Sequence, residues 1–445
     1  MENCLFDTRI QQLGEAKIVS PILKFNNEAG KNAFISDNDK ILFDIRSEKI
    51  FSAIKAGQEM AYFELSGPRE KIYFDPSKVR CAIVTCGGLC PGLNDIIRSI
   101  FMELYFHYEV RNIYGIRYGL QGFIPEYGHD VINLTPRTVV NILDRGGSIL
   151  GSSRGDQDIE SIVDSLERMN IGILFMIGGD GTLMAASKIA KAITDRSLKI
   201  SVVGIPKTID NDIYLVSRSF GFDTAVDVAT SAIKGAHNEA EGYPNGVGLI
   251  KLMGRHSGFI AATAALAQQD VNFVLIPEVD FDLKGSDGLL NALEMRLKAR
   301  GHAVIVVAEG AGQKFFENIA SEHDESGNLR LKDIGIFLKQ EITKYFNNKN
   351  TEITVKYIDP SYMIRSLPAN ANDSVFCGFL GRDAVHAGMA GKTKLIVGHW
   401  NNHFVHVPME LSIGKRKQIS SCGKLWMTVL GATGQACLKN KQEKI

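Results

Sequence analysis

The stretch Cys81-Ala-Ile-Val-Thr-Cys86-Gly87-Gly88-Leu89-Cys90-Pro91-Gly92-Leu93-Asn94 decides how the fold is read. An apolar run of strand length ends in paired glycines and opens a helical pattern from Asn94 to about Leu104. Near-continuous apolarity, rather than alternation, suits a strand buried on both faces of a parallel sheet. The pattern returns at ILFMIGG (173–179), ISVVGI (around 201–206), VGLIKL (247–252), FVLIP (273–277), AVIVVAEG (303–310) and KLIVG (394–398). Strands alternating with helices predict an α/β fold. Ligands of such sheets sit at the carboxyl ends of the strands, where these glycine loops fall.

The whole chain has 445 residues, with 50 Lys+Arg against 50 Asp+Glu. That balance argues against a general nucleic-acid or acidic-membrane binder, which carries a basic excess. It leaves room for anionic ligands held by a local cluster. Glycine is in surplus, at 43 residues, where average usage gives roughly 31. The first residues, MENCLFDTRIQQLGEAK, carry no apolar signal core and no basic start. No run approaches the ~18 apolar residues of a membrane span. Seven scattered cysteines read as reduced thiols. The expectation is a cytoplasmic protein with no membrane or nucleic-acid partner. Cys81, Cys86 and Cys90 lie close together without an answering zinc pattern, so they read as strand and loop packing.

Seven short segments carry chemistry. In the first loop, Gly87 and Gly88 let backbone approach a ligand, and the following helix start offers free N–H groups to an anion. It matches neither the Walker pattern nor GxGxxG. Gly151-Ser152-Ser153-Arg154-Gly155 places an arginine fork, suited to phosphate, in a small-residue loop. Gly178-Gly179-Asp180-Gly181-Thr182 puts a carboxylate among phosphate-facing glycines, where it suits Mg²⁺ bound to that phosphate; a helix is expected from Leu183 to Ile193. Pro206-Lys207-Thr208-Ile209-Asp210-Asn211-Asp212 offers a base, a metal ligand and a cation in one turn. Those are the groups a kinase acting on an alcohol needs. Met253-Gly254-Arg255-His256-Ser257-Gly258, Ala308-Glu309-Gly310 and Lys356 to Arg365 complete the set, with His256 read as structural. The basic run Gly414-Lys415-Arg416-Lys417 reads as a solvated turn.

In this order GGLCPGLN, LGSSRG, GGDGT, PKTIDND, MGR, AEG and YxxR closely resemble the phosphofructokinases, over about Cys81 to Gly391. The PKTIDND form resembles the long-chain ATP-using enzymes that group with the pyrophosphate-dependent branch. The resemblance implies two doubly wound Rossmann-like lobes, with the site in the cleft between them. Their expected extents are 80–221 plus 363–413 for ATP and 222–362 for fructose 6-phosphate. Residues 1–79 read as a partly ordered N-terminal extension, and 414–445 as a tail packing on the lobes.

The resemblance also implies roles. Asp210 matches the base for the 1-hydroxyl of fructose 6-phosphate. Asp180 matches the Mg²⁺ site, and Asp212 a second metal-facing acid. Gly87, Gly88, Gly179, Gly181 and Thr182 fall on the nucleotide side. Gly88, Arg154 and Thr208 match positions around the transferring phosphoryl group, with Lys207 serving the β and γ oxygens. Met253, Gly254, Arg255 and Glu309 match the sugar-phosphate pocket, together with Thr208 and Asp210. Arg365 matches an arginine there, and Tyr362 stands where short bacterial members have histidine. Lys356 falls where those members use an arginine from a neighbouring subunit, and it keeps the charge without the fork.

Pyrophosphate-dependent relatives carry a second Asp at the position of Gly181, which would repel an α-phosphate, so glycine favours ATP. Lys207, shared with pyrophosphate enzymes, points the other way. The leading reading is therefore a Mg²⁺- and ATP-dependent 6-phosphofructokinase, a homotetramer of glycolysis under allosteric control. A pyrophosphate-dependent enzyme and a catalytically silent regulatory subunit stay open. An NAD or lipid kinase shares only GGDGT.

Overall fold

The apolar runs become strands almost where the pattern puts them. In the computed structural model, which describes residues 7–24, 34–317 and 330–440, they form Arg80–Thr85, Ile173–Gly178, Ser201–Pro206, Gly246–Leu252, Phe273–Leu275, His302–Ala308 and Leu395–Trp400. Ile173–Gly178 and Ser201–Pro206 are buried along their whole length, as two-faced coverage demands. The chain is α/β. By its internal contacts it divides into two compact units. The first takes the residues up to Thr208, then Ile213–Gly221 and Ser366–Arg416; the second takes Ile209–Asp212, Phe222–Arg365 and the residues from Lys417 on.

Among the described residues, the first unit has a nine-stranded sheet. In spatial order it runs Lys40–Leu42, Tyr62–Leu65, His403–Pro408, Leu395–Trp400, Ser201–Pro206, Ile173–Gly178, Arg80–Thr85, Asn112–Ile116 and Val131–Asn133. The five strands from Leu395–Trp400 to Asn112–Ile116 are parallel, and the outer strands on both sides are antiparallel. After Arg80–Thr85 the chain moves outward to Asn112–Ile116, then returns to the other side at Ile173–Gly178. The switch point therefore lies between Arg80–Thr85 and Ile173–Gly178. Their carboxyl ends carry Gly87–Gly88 and Gly179–Asp180.

The segment expected as a partly ordered extension supplies two strands of this sheet, Lys40–Leu42 and Tyr62–Leu65. Trp400 Nε1 donates to the Phe43 carbonyl at 2.9 Å, and the two rings stack. A charged cluster fastens the segment. Lys392, its side chain 2% exposed, lies 2.7 Å from Glu64 and 3.0 Å from Asp37. Arg69 reaches both acids, and His406 bonds Glu64 at 2.9 Å. Burial alone would raise both carboxyls, but Arg69 and Lys392 outweigh it at Asp37, and His406 and Lys392 at Glu64. Each is held at about 2.

Both folded values lie below the ordinary 3.8 and 4.5. The stability they contribute is therefore complete above about pH 4.5 and is lost as pH falls towards 2. Lys392→Met removes the buried cation that Glu64 and Asp37 share, leaving Arg69 and His406 at Glu64, and should lower unfolding stability at neutral pH by about 2 kcal/mol. Urea titration at pH 7 and pH 3 checks it, since the difference between wild type and variant should shrink at pH 3. An unchanged midpoint at pH 7 rules the anchor out.

Among the described residues, the second unit has a four-stranded, all-parallel sheet in the order Phe273–Leu275, His302–Ala308, Gly246–Leu252, Thr354–Ile358. Its core gathers Leu289, Leu293 and Leu297 of one helix with Ile334, Leu338 and Ile342 of another against the sheet. The C-terminal residues return onto this unit. Leu438 joins the core, its carbonyl accepts from Asp282 N at 2.7 Å, and Gln435 Oε1 accepts from Val274 N at 2.6 Å. Among the described residues no helix is long and apolar enough to cross a membrane.

Candidate active site

In the first unit the loops at the switch point are tied to one another. Gly87 takes φ +80°, a left-handed conformation that glycine adopts without cost. Its N–H donates to the Ser153 carbonyl at 3.2 Å, and its own carbonyl accepts from Ser152 Oγ at 2.6 Å. The Gly151–Gly155 loop is thereby docked on the first loop, and Arg154 on it is exposed. Lys207 follows the strand Ser201–Pro206. Although charged, it is buried, and its Nζ donates to the Gly88 carbonyl at 2.6 Å. Its backbone N–H donates to the Gly178 carbonyl at 2.9 Å. Gly87, Gly88, Gly178 and Lys207 thus form one connected cluster. Thr208 is fixed through its carbonyl, which accepts from Ser219 Oγ at 2.6 Å.

The helix expected from Leu183 begins three residues earlier, at Asp180, with Gly179 as N-cap and no side-chain cap. Asp180, Gly181 and Thr182 are therefore its first turn, where unsatisfied backbone N–H groups and the helix dipole favour an anion. A Cβ built on Gly181 meets nothing within 4 Å among the described residues. Cys81, Cys86 and Cys90 are buried packing groups. Burial pushes the Cys86 thiol up to about 12, opposed weakly by Lys207.

The second unit holds the remaining groups. The Asp210 carbonyl accepts from Ser257 Oγ at 3.3 Å. Asn211 adopts φ +53°, which bends the turn between the two acids. Asp212 is only 4% exposed, and its carbonyl accepts from Lys417 N at 2.8 Å. The loops after Gly246–Leu252 and His302–Ala308 are neighbours because those strands pair in parallel. Gly310 N donates to the Gly254 carbonyl at 3.1 Å. Gly254 has φ +135°, and a Cβ there would stand 2.4 Å from the Ser257 carbonyl oxygen. Met253, Gly254, Arg255 and Glu309 are thereby brought together. Burial raises the Glu309 carboxyl, opposed by Lys251 and Arg255.

Arg365 lies across the Tyr362 ring at 4.7 Å, and its buried Nε has no hydrogen-bond partner among the described residues. Tyr362 is 74% exposed. Lys356 stands apart from these residues. It sits mid-strand, 3.4 Å from Glu239 and over the Tyr243 ring.

Two groups escaped the sequence reading. The basic run read as a solvated turn is engaged at the site. Arg416 Nη2 stands 3.6 Å from Asp180 within the first unit. Lys417 Nζ donates to Asn211 Oδ1 at 3.0 Å within the second. Burial pushes the Lys417 ammonium down to about 8, with Asp212 opposing. The other omission is Lys251, which bonds Asp333 at 2.6 Å and Asp359 at 2.8 Å. Burial would lower its pKa, but these two carboxylates raise it.

Parallel sheets with glycine loops, acids and cations at their carboxyl ends define an α/β phosphate-binding protein. A family model described as Phosphofructokinase matches residues 80–388. The chain is 51% identical over 442 residues to the ATP-dependent 6-phosphofructokinase of Borreliella burgdorferi, covering 98% of each chain. It is 45% identical over 438 residues to that of Amycolatopsis methanolica, covering 97% of this chain and 95% of the relative. In fold it is similar to the pyrophosphate-dependent phosphofructokinase of Marinobacter aquaeolei, with TM-score 0.65 and 19% identity over 82% of this chain and 93% of that one. The chain belongs to the phosphofructokinase family.

Proposed function

We propose that this phosphotransferase moves the γ-phosphate of ATP to the 1-hydroxyl of fructose 6-phosphate, giving fructose 1,6-bisphosphate and ADP. The observation that carries this reading is the 51% identity, along 98% of both chains, to a relative named for that activity. Gly181 supports the choice of donor: the space beside it is open, where a carboxylate would face an α-phosphate.

The residues divide the work. Asp210 takes the hydroxyl proton as the sugar oxygen bonds to phosphorus and the bond to the β–γ bridging oxygen breaks. Lys207 and Arg154 place positive charge on the phosphoryl oxygens, and Gly87, Gly88 and Thr208 offer polar groups to them. The first turn at Asp180–Thr182 holds phosphate. Met253, Gly254, Arg255 and Glu309 bind the sugar. Arg365 has a buried donor without a partner among the described residues, which fits an anionic group such as the 6-phosphate; Tyr362 belongs to the same subsite, and Lys356, which stands apart from it within one chain, would reach the sugar phosphate of a neighbouring subunit.

Asp180 and Asp212 would hold Mg²⁺. Hard carboxylate oxygens, one of them in a phosphate-facing helical turn, fit a cation that binds through one or two carboxylates and substrate phosphates. When bound, the ion neutralises phosphate charge. The same reading carries a cytoplasmic location, allosteric control and a homotetramer with sugar-phosphate sites near subunit interfaces.

The deciding assay follows fructose 1,6-bisphosphate formation with ATP and, separately, with pyrophosphate at equal Mg²⁺. ATP should support turnover at least about tenfold better, a difference of about 1.4 kcal/mol. Turnover with pyrophosphate and not ATP would overturn the donor. No turnover with either would favour a regulatory subunit.

A further inference from the structure

We infer that His237, Glu241 and His302 form a binding site for a borderline divalent cation such as Zn²⁺, separate from the phosphoryl-transfer residues. His237 and Glu241 are four residues apart in the helix Phe222–Glu241, so they share one face. His302 opens the strand His302–Ala308. The two imidazoles face each other through Nε2, 3.3 Å apart. Glu241 Oε1 stands 3.5 Å from His237 Nε2 and 3.9 Å from His302 Nε2.

Those separations are what a tetrahedral ion requires. Zn–N bonds of about 2.05 Å, opened at a tetrahedral angle, hold two nitrogens roughly 3.4 Å apart. The carboxylate needs to close by only a few tenths of an ångström to reach a comparable position, and it is half exposed and able to move. Two imidazoles and a carboxylate, with a fourth position left to water, are a known catalytic zinc donor set.

Two further features point the same way. Asp270 Oδ2 stands 3.4 Å from His237 Nδ1, and is itself held by Gln268 Nε2 at 2.5 Å. A carboxylate on that side favours the proton at Nδ1 and the lone pair at Nε2, and a small approach would give the hydrogen bond that orients metal-bound histidines. Glu241 is also the last residue of its helix, where terminal carbonyl oxygens favour positive charge. Glu241 and His302 line an open hollow of about 730 Å³ that Arg300 and Tyr243 also border. A fourth coordination position is thereby left to water or a small anion.

The site lies at the amino end of its sheet. Glu309 follows the far end of the strand that His302 begins, about 20 Å away at ~3.3 Å per residue. Mg²⁺ does not compete well here, since it prefers oxygen ligands in octahedral geometry and dehydrates reluctantly.

The full-length protein, stripped by a chelator and returned to buffer with millimolar Mg²⁺, tests this directly. Competition with a chromophoric zinc chelator should give one Zn²⁺ per chain. Affinity should fall at least about 100-fold in His302→Ala and about 10- to 100-fold in Asp270→Asn. Co²⁺ added to the wild type should give intense visible bands of a tetrahedral site without a thiolate charge-transfer band. That spectrum requires no variant, so it holds even if a substitution impairs folding. Absence of the tetrahedral bands, a thiolate band, or unchanged Zn²⁺ affinity in a folded His302→Ala would each overturn the assignment. The pair would then be an imidazole–imidazole hydrogen bond.

Discussion

Asp210→Ser should lower kcat by about three orders of magnitude, the middle of the range a positioned base contributes, and leave fructose 6-phosphate binding within about threefold. The hydroxyl of serine cannot take the proton, so the sugar oxygen must attack while still protonated. The local structure does not depend on the carboxylate alone. The contact with Ser257 Oγ is made by the Asp210 backbone carbonyl, which every substitution keeps. The left-handed Asn211 and its bond from Lys417 Nζ fix the turn from the next residue on. Met253, Gly254, Arg255 and Glu309, proposed to bind the sugar, are held by the pairing of their own strands. Steady-state kinetics with a direct binding titration separates the two effects. A variant that turns over normally but no longer binds the sugar phosphate would show that Asp210 is a ligand of the sugar and no base.

The distribution of what was legible in the sequence has a physical cause. Strands covered on both faces are written as apolar runs, and Ile173–Gly178 and Ser201–Pro206 match theirs closely. Lys40–Leu42 and Tyr62–Leu65 are short outer strands with mixed burial, so no apolar run marks them. Their place in the sheet is secured by Trp400 and by Lys392, more than 300 positions away. Thr354–Ile358 was silent for the same reason, being half-buried along its length at a sheet edge. The glycine loops at the strand ends were legible because glycine there answers a local need of the backbone. Arg416 and Lys417 were not, since a basic run reads as solvated until its partners are known. Those partners, Asp180 and Asn211, lie more than 200 positions upstream. The helix at Asp180 began early because a glycine N-cap leaves no side-chain signal.

Gly181→Asp isolates the donor choice, and the structure makes it a clean experiment. Nothing lies within 4 Å of a Cβ at this position, and the residue is exposed in the first turn of its helix. A first-turn aspartate is favoured by the helix dipole by about 0.3–1 kcal/mol, and glycine is a poor helix former. Thermal stability should therefore hold or rise slightly, and any loss of activity is chemical. Asp180 beside it already has its charge met by Arg416 at 3.6 Å. A second carboxylate would share that one arginine while facing the α-phosphate of ATP. Two like charges about 4–5 Å apart at an effective dielectric near 20 repel by roughly 3–4 kcal/mol. With solvent screening at this exposed turn, kcat/KM for ATP should fall about 100-fold, near 2.7 kcal/mol. The KM for fructose 6-phosphate and any turnover with pyrophosphate, which has no α-phosphate, should change far less. Gly181→Ala adds bulk without charge and should keep most ATP activity, separating repulsion from crowding. Equal ATP kinetics in wild type and Gly181→Asp would place the selection of donor elsewhere, with Lys207, buried against Gly88, the next residue to exchange.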